Sequence, residues 1–156
     1  MRQMTVLLVE DNPHDVRLIQ RAFNKAEVPH HLYIVHDGDD ALTYLAETSV
    51  HTASSTAHRP DLILLDLNLP RMNGHDVIRE CKQDVRFKQI PIVVLTTSDY
   101  DEDIRRAYAA GANAYLLKPV EFARFIEIMH QLNIFWLKSV KLPPEIRCEE
   151  ENRCNH

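Results

Sequence analysis

The feature that most limits what this chain can fold into is a rhythm. Five short apolar runs recur, TVLLV (Thr5–Val9), HLYIV (His31–Val35), LILLD (Leu62–Asp66), PIVVLT (Pro91–Thr96) and AYLLK (Ala114–Lys118), each divided from the next by a stretch of helical period. Strands alternating with helices call for βα units wound around a parallel sheet. The third and fourth runs are the most continuously apolar, as strands covered on both faces must be. Between them, Asn12-Pro13 supplies a cap and a first-turn proline, and Val16, Ile19 and Phe23 follow on one helical face. Gly38-Asp39 opens a second helix through Leu42 and Leu45. Gly74 precedes a third, with Val77, Ile78 and Cys81 inward. Ser98 or Asp99 is expected to cap a fourth, with Ile104, Ala107 and Tyr108 inward and Gly111 as its stop. A fifth helix is predicted from about Val120 to Lys138, with Phe122, Phe125, Ile126, Met129 and Leu132 as its core stripe.

The length of 156 residues suits one domain with one adequate core. A domain over 1–142 is expected, followed by a mobile tail over 143–156 that carries Pro143-Pro144 and an acidic run. The segment 47–60 reads as a small, polar loop whose His51 and His58 are solvated. With 23 acidic against 18 basic side chains and a net charge of −5, the chain has no basic stripe for nucleic acid. No apolar run reaches membrane-spanning length, and the N-terminus lacks the features of a secretory signal, so a cytoplasmic location is expected. Cys81, Cys148 and Cys154 form no CxxC pair and fit reduced thiols. Cys148, Cys154 and His156 lack a fourth partner for a metal site.

In open parallel sheets, ligands bind beyond the carboxyl ends of the strands. There the first run ends in Glu10-Asp11, the third in Asp66, the fourth in Thr96 and the fifth in Lys118-Pro119. Taken singly each has a plainer role: Asp11 as helix cap, Thr96 as strand-end hydroxyl, Tyr115 as half-buried aromatic, Lys118 as surface lysine. Their joint placement points to chemistry. Crowded carboxylates repel by about 4 kcal/mol per pair at roughly 4 Å and an effective dielectric near 20. A hard cation such as Mg²⁺ relieves that, because it takes oxygen ligands and is commonly held by one or two carboxylates plus phosphate oxygens. A carboxylate beside a cation and a lysine is arranged to accept a phosphoryl group as an aspartyl phosphate, with Thr96 donating a hydrogen bond to it. The Lys118-Pro119 bond is a candidate cis peptide that would aim the ammonium inward.

The segments VEDN, LLDLNLPRMNG, VVLTTS and YLLKP together resemble the receiver domain of two-component response regulators, over roughly residues 4–138 and with Asp66 at the phosphoacceptor position. That resemblance implies an α/β, doubly wound, five-stranded parallel sheet of flavodoxin-like (βα)5 type with strand order 2-1-3-4-5. It further implies Mg²⁺ on Glu10, Asp11, Asp66 and the backbone carbonyl of Asn68, a switch pair of Thr96 and Tyr115, and tuning of dephosphorylation by Asn68 and Ser98. The partner implied is a histidine kinase. LILLDLNLPRMNG, IPIVVLTTS and FWLKSVKLP are similar to the small regulators paired with bacterial and cyanobacterial phytochromes, which would make that kinase a phytochrome.

Two other functions use the same residues. An aspartate-nucleophile phosphatase or phosphotransferase shares the strand-end acid and Mg²⁺, but commonly has a second acid where Asn68 stands. A receiver-like interaction module would have lost phosphorylation, and is disfavoured by the presence of the whole acid, hydroxyl and lysine set. Lastly, the stretch from Ile134 through Phe135, Trp136 and Leu137 is apolar nearly all round, which a lone surface helix should not be. A homodimer through the last helix is expected to cover it.

Overall fold

Because successive side chains of a strand point to opposite faces, a strand that is apolar at every position must be covered on both sides. The structure, a computed structural model, describes residues 3–25, 29–49 and 57–144. Its strands are β1 (Met4–Val9), β2 (His30–Val35), β3 (Leu62–Leu65), β4 (Ile92–Thr96) and β5 (Ala114–Leu117). All pair in parallel, in the order β2-β1-β3-β4-β5. The helices are α1 (Pro13–Lys25), α2 (Gly38–Thr48), α3 (Gly74–Gln83), α4 (Asp101–Ala110) and α5 (Phe122–Asn133), the last continued by a π-helical turn, Ile134–Ser139. Residues 50–56 of the expected loop and most of the expected tail, including Cys148, Cys154 and His156, lie outside the described residues.

The strand pleat divides the core in two. Leu7, Val9, Ile63, Leu65, Ile92 and Val94 face Leu45, Val77, Ile78 and Cys81, from α2 and α3. Their neighbours Val6, Leu8, Leu62, Leu64, Val93 and Leu95 face Ile19, Phe23, Phe125 and Met129, from α1 and α5. Each fully buried aliphatic side chain of this kind contributes about 1.5–3 kcal/mol. Edge strands β2 and β5 are only half-buried, in keeping with their more mixed sequences. Burial in the first of these layers pushes the Cys81 thiol up to about 12, so it stays protonated and packs as a small apolar group.

Local chemistry sets the helix starts. The Asn12 side chain accepts from the N–H groups of His14 (2.9 Å) and Asp15 (3.3 Å), Asp37 caps α2 through the N–H of Asp40 (2.7 Å), and Asn73 caps α3 through that of Asp76 (3.0 Å). Gly111 closes α4 in the left-handed conformation, φ 114°.

Several expectations need correction. The fourth helix is capped by neither Ser98 nor Asp99: its N-cap is Tyr100, without a side-chain bond, because the Ser98 hydroxyl is spent on Asp103 one turn into the helix. Tyr108 is half exposed, since α4 buries only the small Ala107 fully against the sheet. Phe122 is likewise exposed, lying on the first turn of α5 with the Arg21 guanidinium 5.9 Å from its ring centroid. The second helix, by contrast, starts at Gly38 as read, with Asp37 as its cap.

Gly74 sits where α3 meets the end of β3. A Cβ there would lie 2.6 Å from the Asp66 carbonyl oxygen and 2.6 Å from the Leu67 Cα, both backbone atoms that cannot swing aside. Gly74→Ala is therefore expected to cost about 1–3 kcal/mol in urea denaturation, and an unchanged midpoint would refute this close approach.

Candidate functional site

The strand order reverses between β1 and β3, and the crevice opened there is where open α/β sheets hold ligands. Glu10 and Asp11 follow β1, and Asp66 follows β3. The sheet ladder continues into these residues and fixes them. The Asp66 N–H donates to the Val9 carbonyl at 3.0 Å and the Glu10 N–H to that of Val35 at 3.0 Å. From the far side, the Lys118 N–H donates to the Thr96 carbonyl at 2.7 Å, so β5 delivers its terminal lysine in register.

The Lys118 ammonium reaches three carboxylates: Glu10 Oε2 at 2.6 Å, Asp66 Oδ2 at 2.8 Å and Asp15 Oδ2 at 2.9 Å. Lys118, Glu10 and Asp66 are all buried, while Asp11 is exposed at the mouth. The other oxygens are also engaged, with Asp66 Oδ1 accepting from the Asn68 N–H (3.1 Å) and Glu10 Oε1 from the Asn12 N–H (3.0 Å). The Lys118-Pro119 bond is trans, as are all peptide bonds among the described residues. The lysine gains its aim from the β4–β5 ladder, and the usual trans preference of about 0.5–1 kcal/mol stands.

Four acids against one ammonium leave the crevice with surplus negative charge. Burial, then the adjacent Asp66 charge, push the Glu10 carboxyl from 4.5 up to about 7, with Lys118 only partly offsetting them. Burial alone would lower Lys118, but its bonds to Asp66 and Glu10 outweigh this and raise it above the ordinary lysine value. Oxygens of Glu10, Asp11 and Asp66 lie within 4.8 Å of one another. An all-oxygen, electron-rich cluster with one member forced toward protonation fits a hard divalent cation.

Thr96 is fully buried and its Oγ1 has no hydrogen-bond partner among the described residues. A buried unpaired hydroxyl costs about 1–3 kcal/mol, which an incoming oxygen would relieve. Tyr115 is half-buried against the α3 and α4 layer, and its hydroxyl donates to the Ser98 carbonyl at 2.8 Å. Burial, with the nearby Asp103 charge, raises its pKa and keeps it a donor. The Ser98 hydroxyl in turn bonds Asp103, whose other oxygen lies 3.4 Å from Nε2 of buried His75 on α3. Ser98 thus serves the α4 side of the pocket.

The structure brings together Glu10, Asp11, Asp66 and Lys118 as the sequence predicted. It adds Asp15, which the sequence reading missed. An acid in the first turn of a helix, after an Asn-Pro cap, reads as a partner of the helix dipole and nothing more. The last helix departs further. Leu137 is buried in this chain's own core and Trp136 packs partly against it, while Ile134 and Phe135 remain exposed. The π-helical turn rotates the apolar residues, so Leu137 is not available to a second chain.

Known proteins are similar to this chain in sequence and fold. Response regulator Rcp1 of Synechocystis sp. is 39% identical over 138 residues, covering 88% of this chain and 92% of that protein. The crystal structure of the phosphorylated cyanobacterial phytochrome response regulator RcpA matches with a TM-score of 0.84 and 40% identity, over 92% of this chain and all (100%) of that one. The Mn²⁺-bound form of Rcp1 matches with a TM-score of 0.83 and 38% identity, over 90% and 99% of the two chains. Residues 6–130 match the model of the response regulator receiver domain. With five parallel strands in the order 2-1-3-4-5 and an acidic crevice at the turn of that order, this chain belongs to the response regulator receiver family.

Proposed function

We propose that this protein is a phosphorylation switch in which Asp66 accepts a phosphoryl group from a histidine kinase. The carrying observation is a buried Asp66 carboxylate 2.8 Å from Lys118 Nζ, at the strand edge where β4 ends in Thr96, whose buried hydroxyl has no partner among the described residues. A carboxylate oxygen of Asp66 attacks phosphorus, the bond from phosphorus to the donor's imidazole nitrogen breaks, and its electron pair leaves with the donor. The product is an acyl phosphate. Lys118 donates to one phosphoryl oxygen and Thr96 to another, the latter gaining a partner it lacks beforehand. Mg²⁺ held by Glu10, Asp11, Asp66 and the Asn68 carbonyl would offset charge on the phosphoryl oxygens. The position two residues past Asp66, where a phosphomonoester hydrolase commonly carries its second acid, is an amide, Asn68.

Signalling follows from the same bonds. Drawing Thr96 toward the phosphoryl group pulls on the β4–α4 loop, where Tyr115 is already docked on the Ser98 carbonyl. Thr96 and Tyr115 then act as the switch pair, with Tyr115 holding the loop through its hydroxyl bond to the Ser98 carbonyl. Asn68 and Ser98 tune how readily water reaches the acyl phosphate. The likeness to RcpA and Rcp1 supports a phytochrome-type histidine kinase as the partner. No helix among the described residues is long and apolar enough to cross a membrane, in keeping with a cytoplasmic protein. The exposed Ile134 (42%) and Phe135 (56%), with the edge of Trp136, form the face of a homodimer.

Incubation with Mg²⁺ and a small acyl phosphate should add one phosphoryl group by mass, lost in Asp66→Asn. An unmodified wild-type protein would falsify the reading. The raised Glu10 value of about 7 against 4.5 sets a pH dependence. A carboxyl raised on folding contributes stability that is complete below 4.5 and lost as pH rises through about 7. Without divalent cations, wild type should therefore weaken relative to Glu10→Gln between about pH 4.5 and 7. Cation binding displaces that proton, so affinity should climb with pH up to about 7 and then level off. A flat profile in calorimetric titration would remove Glu10 from the site. For the dimer, light scattering should give twice the chain mass in wild type and a monomer in Phe135→Glu; a wild-type monomer at every concentration, phosphorylated or not, would refute it.

A further inference from the structure

Among the described residues, Asp15 is the one acid of the crevice that the phosphoacceptor reading does not use. It stands in the first turn of α1, its backbone N–H held by the Asn12 side chain, and its Oδ2 lies 2.9 Å from Lys118 Nζ. An ammonium has three N–H donors. In this structure all are committed, to Glu10, Asp66 and Asp15.

These three partners have different prospects during phosphoryl transfer. Glu10 and Asp66 belong to the oxygen cluster that fits a divalent cation, and Asp15 does not. A bound cation would share the charge of Glu10 and Asp66 and weaken their hold on the ammonium. Conversion of Asp66 to the acyl phosphate removes the negative charge of that carboxylate itself. Asp15 alone keeps its full charge through both events. We propose that Asp15 is a positioning residue that anchors the Lys118 ammonium to α1, so that the donor bound to Asp15 stays fixed while the donor released by Asp66 meets the phosphoryl group. This rests on the phosphoacceptor reading of Asp66.

A competing account makes Asp15 a helix-dipole acid with no part in the reaction. The two differ in what they move. An anchor governs where the ammonium sits when phosphorus arrives, and small displacements of such a group carry large rate penalties. A dipole acid changes helix stability and leaves the rate alone. Its side chain is 17% exposed, so Asp15→Asn, of the same shape, removes the charge with little disturbance of packing.

The test uses the full chain with Mg²⁺ and acetyl phosphate as donor. Asp15→Asn is expected to slow phosphorylation about fivefold or more, while the Mg²⁺ dissociation constant stays within about twofold, since Asp15 is outside the cation's cluster. Asp15→Glu, which keeps the charge, should recover part of the rate. On wild type itself, nitrogen NMR should show scalar coupling across the hydrogen bond from Lys118 Nζ to the Asp15 carboxyl carbon, and this should persist after phosphorylation. A rate for Asp15→Asn equal to or above wild type overturns the anchor, as does a parallel loss of Mg²⁺ affinity or disappearance of the coupling on phosphorylation. Failure of wild type to take up phosphate would instead strike the phosphoacceptor reading, and the anchor with it.

Discussion

One buried ammonium holds the functional end of this molecule together. Removing charges from water costs several kcal/mol per ion, and a buried pair is tolerable only when geometry and hydrogen bonds satisfy it. Lys118 meets that condition by giving each of its donors to a carboxylate. The acids meet it only in part, since four of them share one cation and Glu10 is driven toward protonation. The crevice is thus balanced well enough to fold and poorly enough to favour a divalent ion. That residual imbalance is what makes it a binding site and not merely a buried salt bridge.

The sheet explains how residues so far apart in sequence arrive within hydrogen-bond reach. Parallel strands place all their carboxyl ends at one edge, and the reversal between β1 and β3 leaves that edge uncovered by crossover connections. Backbone bonds from Glu10, Asp66 and Lys118 extend the ladder by one rung beyond the strands. Side chains at these rungs inherit the rigidity of a doubly covered sheet. Gly74 completes the fit from the helical side, letting α3 press on the Asp66 carbonyl where any side chain would hold it away.

Much of this was legible in the sequence because it follows from periodicity. Continuous apolar runs gave the three central strands within a residue at each end, and the residues that closed them gave Glu10, Asp11, Asp66, Thr96 and Lys118. What escaped was whatever depends on tertiary register. Asp15 has the spacing of an ordinary first-turn acid, and only the arrival of β5 turns it toward a lysine. Tyr108 and Phe122 have helical spacing suited to a core, yet both lie exposed on the helices that flank the edge strand β5. The apolar ring around Ile134–Leu137 implied an uncovered face on an ideal helix. A π-helical turn changes the phase, sending Leu137 inward and leaving Ile134 and Phe135 outside.

The α4 side of the crevice shows why a change at Thr96 cannot stay local. Thr96 ends β4, and two residues later Ser98 spends its hydroxyl on Asp103 of α4 and its carbonyl on Tyr115 of β5. Asp103 also faces His75, the second residue of α3, directly after the glycine that packs on Asp66. The loop between Thr96 and Ser98 is therefore tied at one end to the sheet and at the other to two helices and the edge strand. The Thr96 hydroxyl has no hydrogen bond to give up among the described residues, so moving it toward a new acceptor is opposed only by the loop's own ties. Those ties are a few hydrogen bonds of about 0.5–1.5 kcal/mol each. Charge-assisted bonds at a phosphoryl group are roughly twice as strong, which puts the two sides within reach of each other and leaves the loop able to respond.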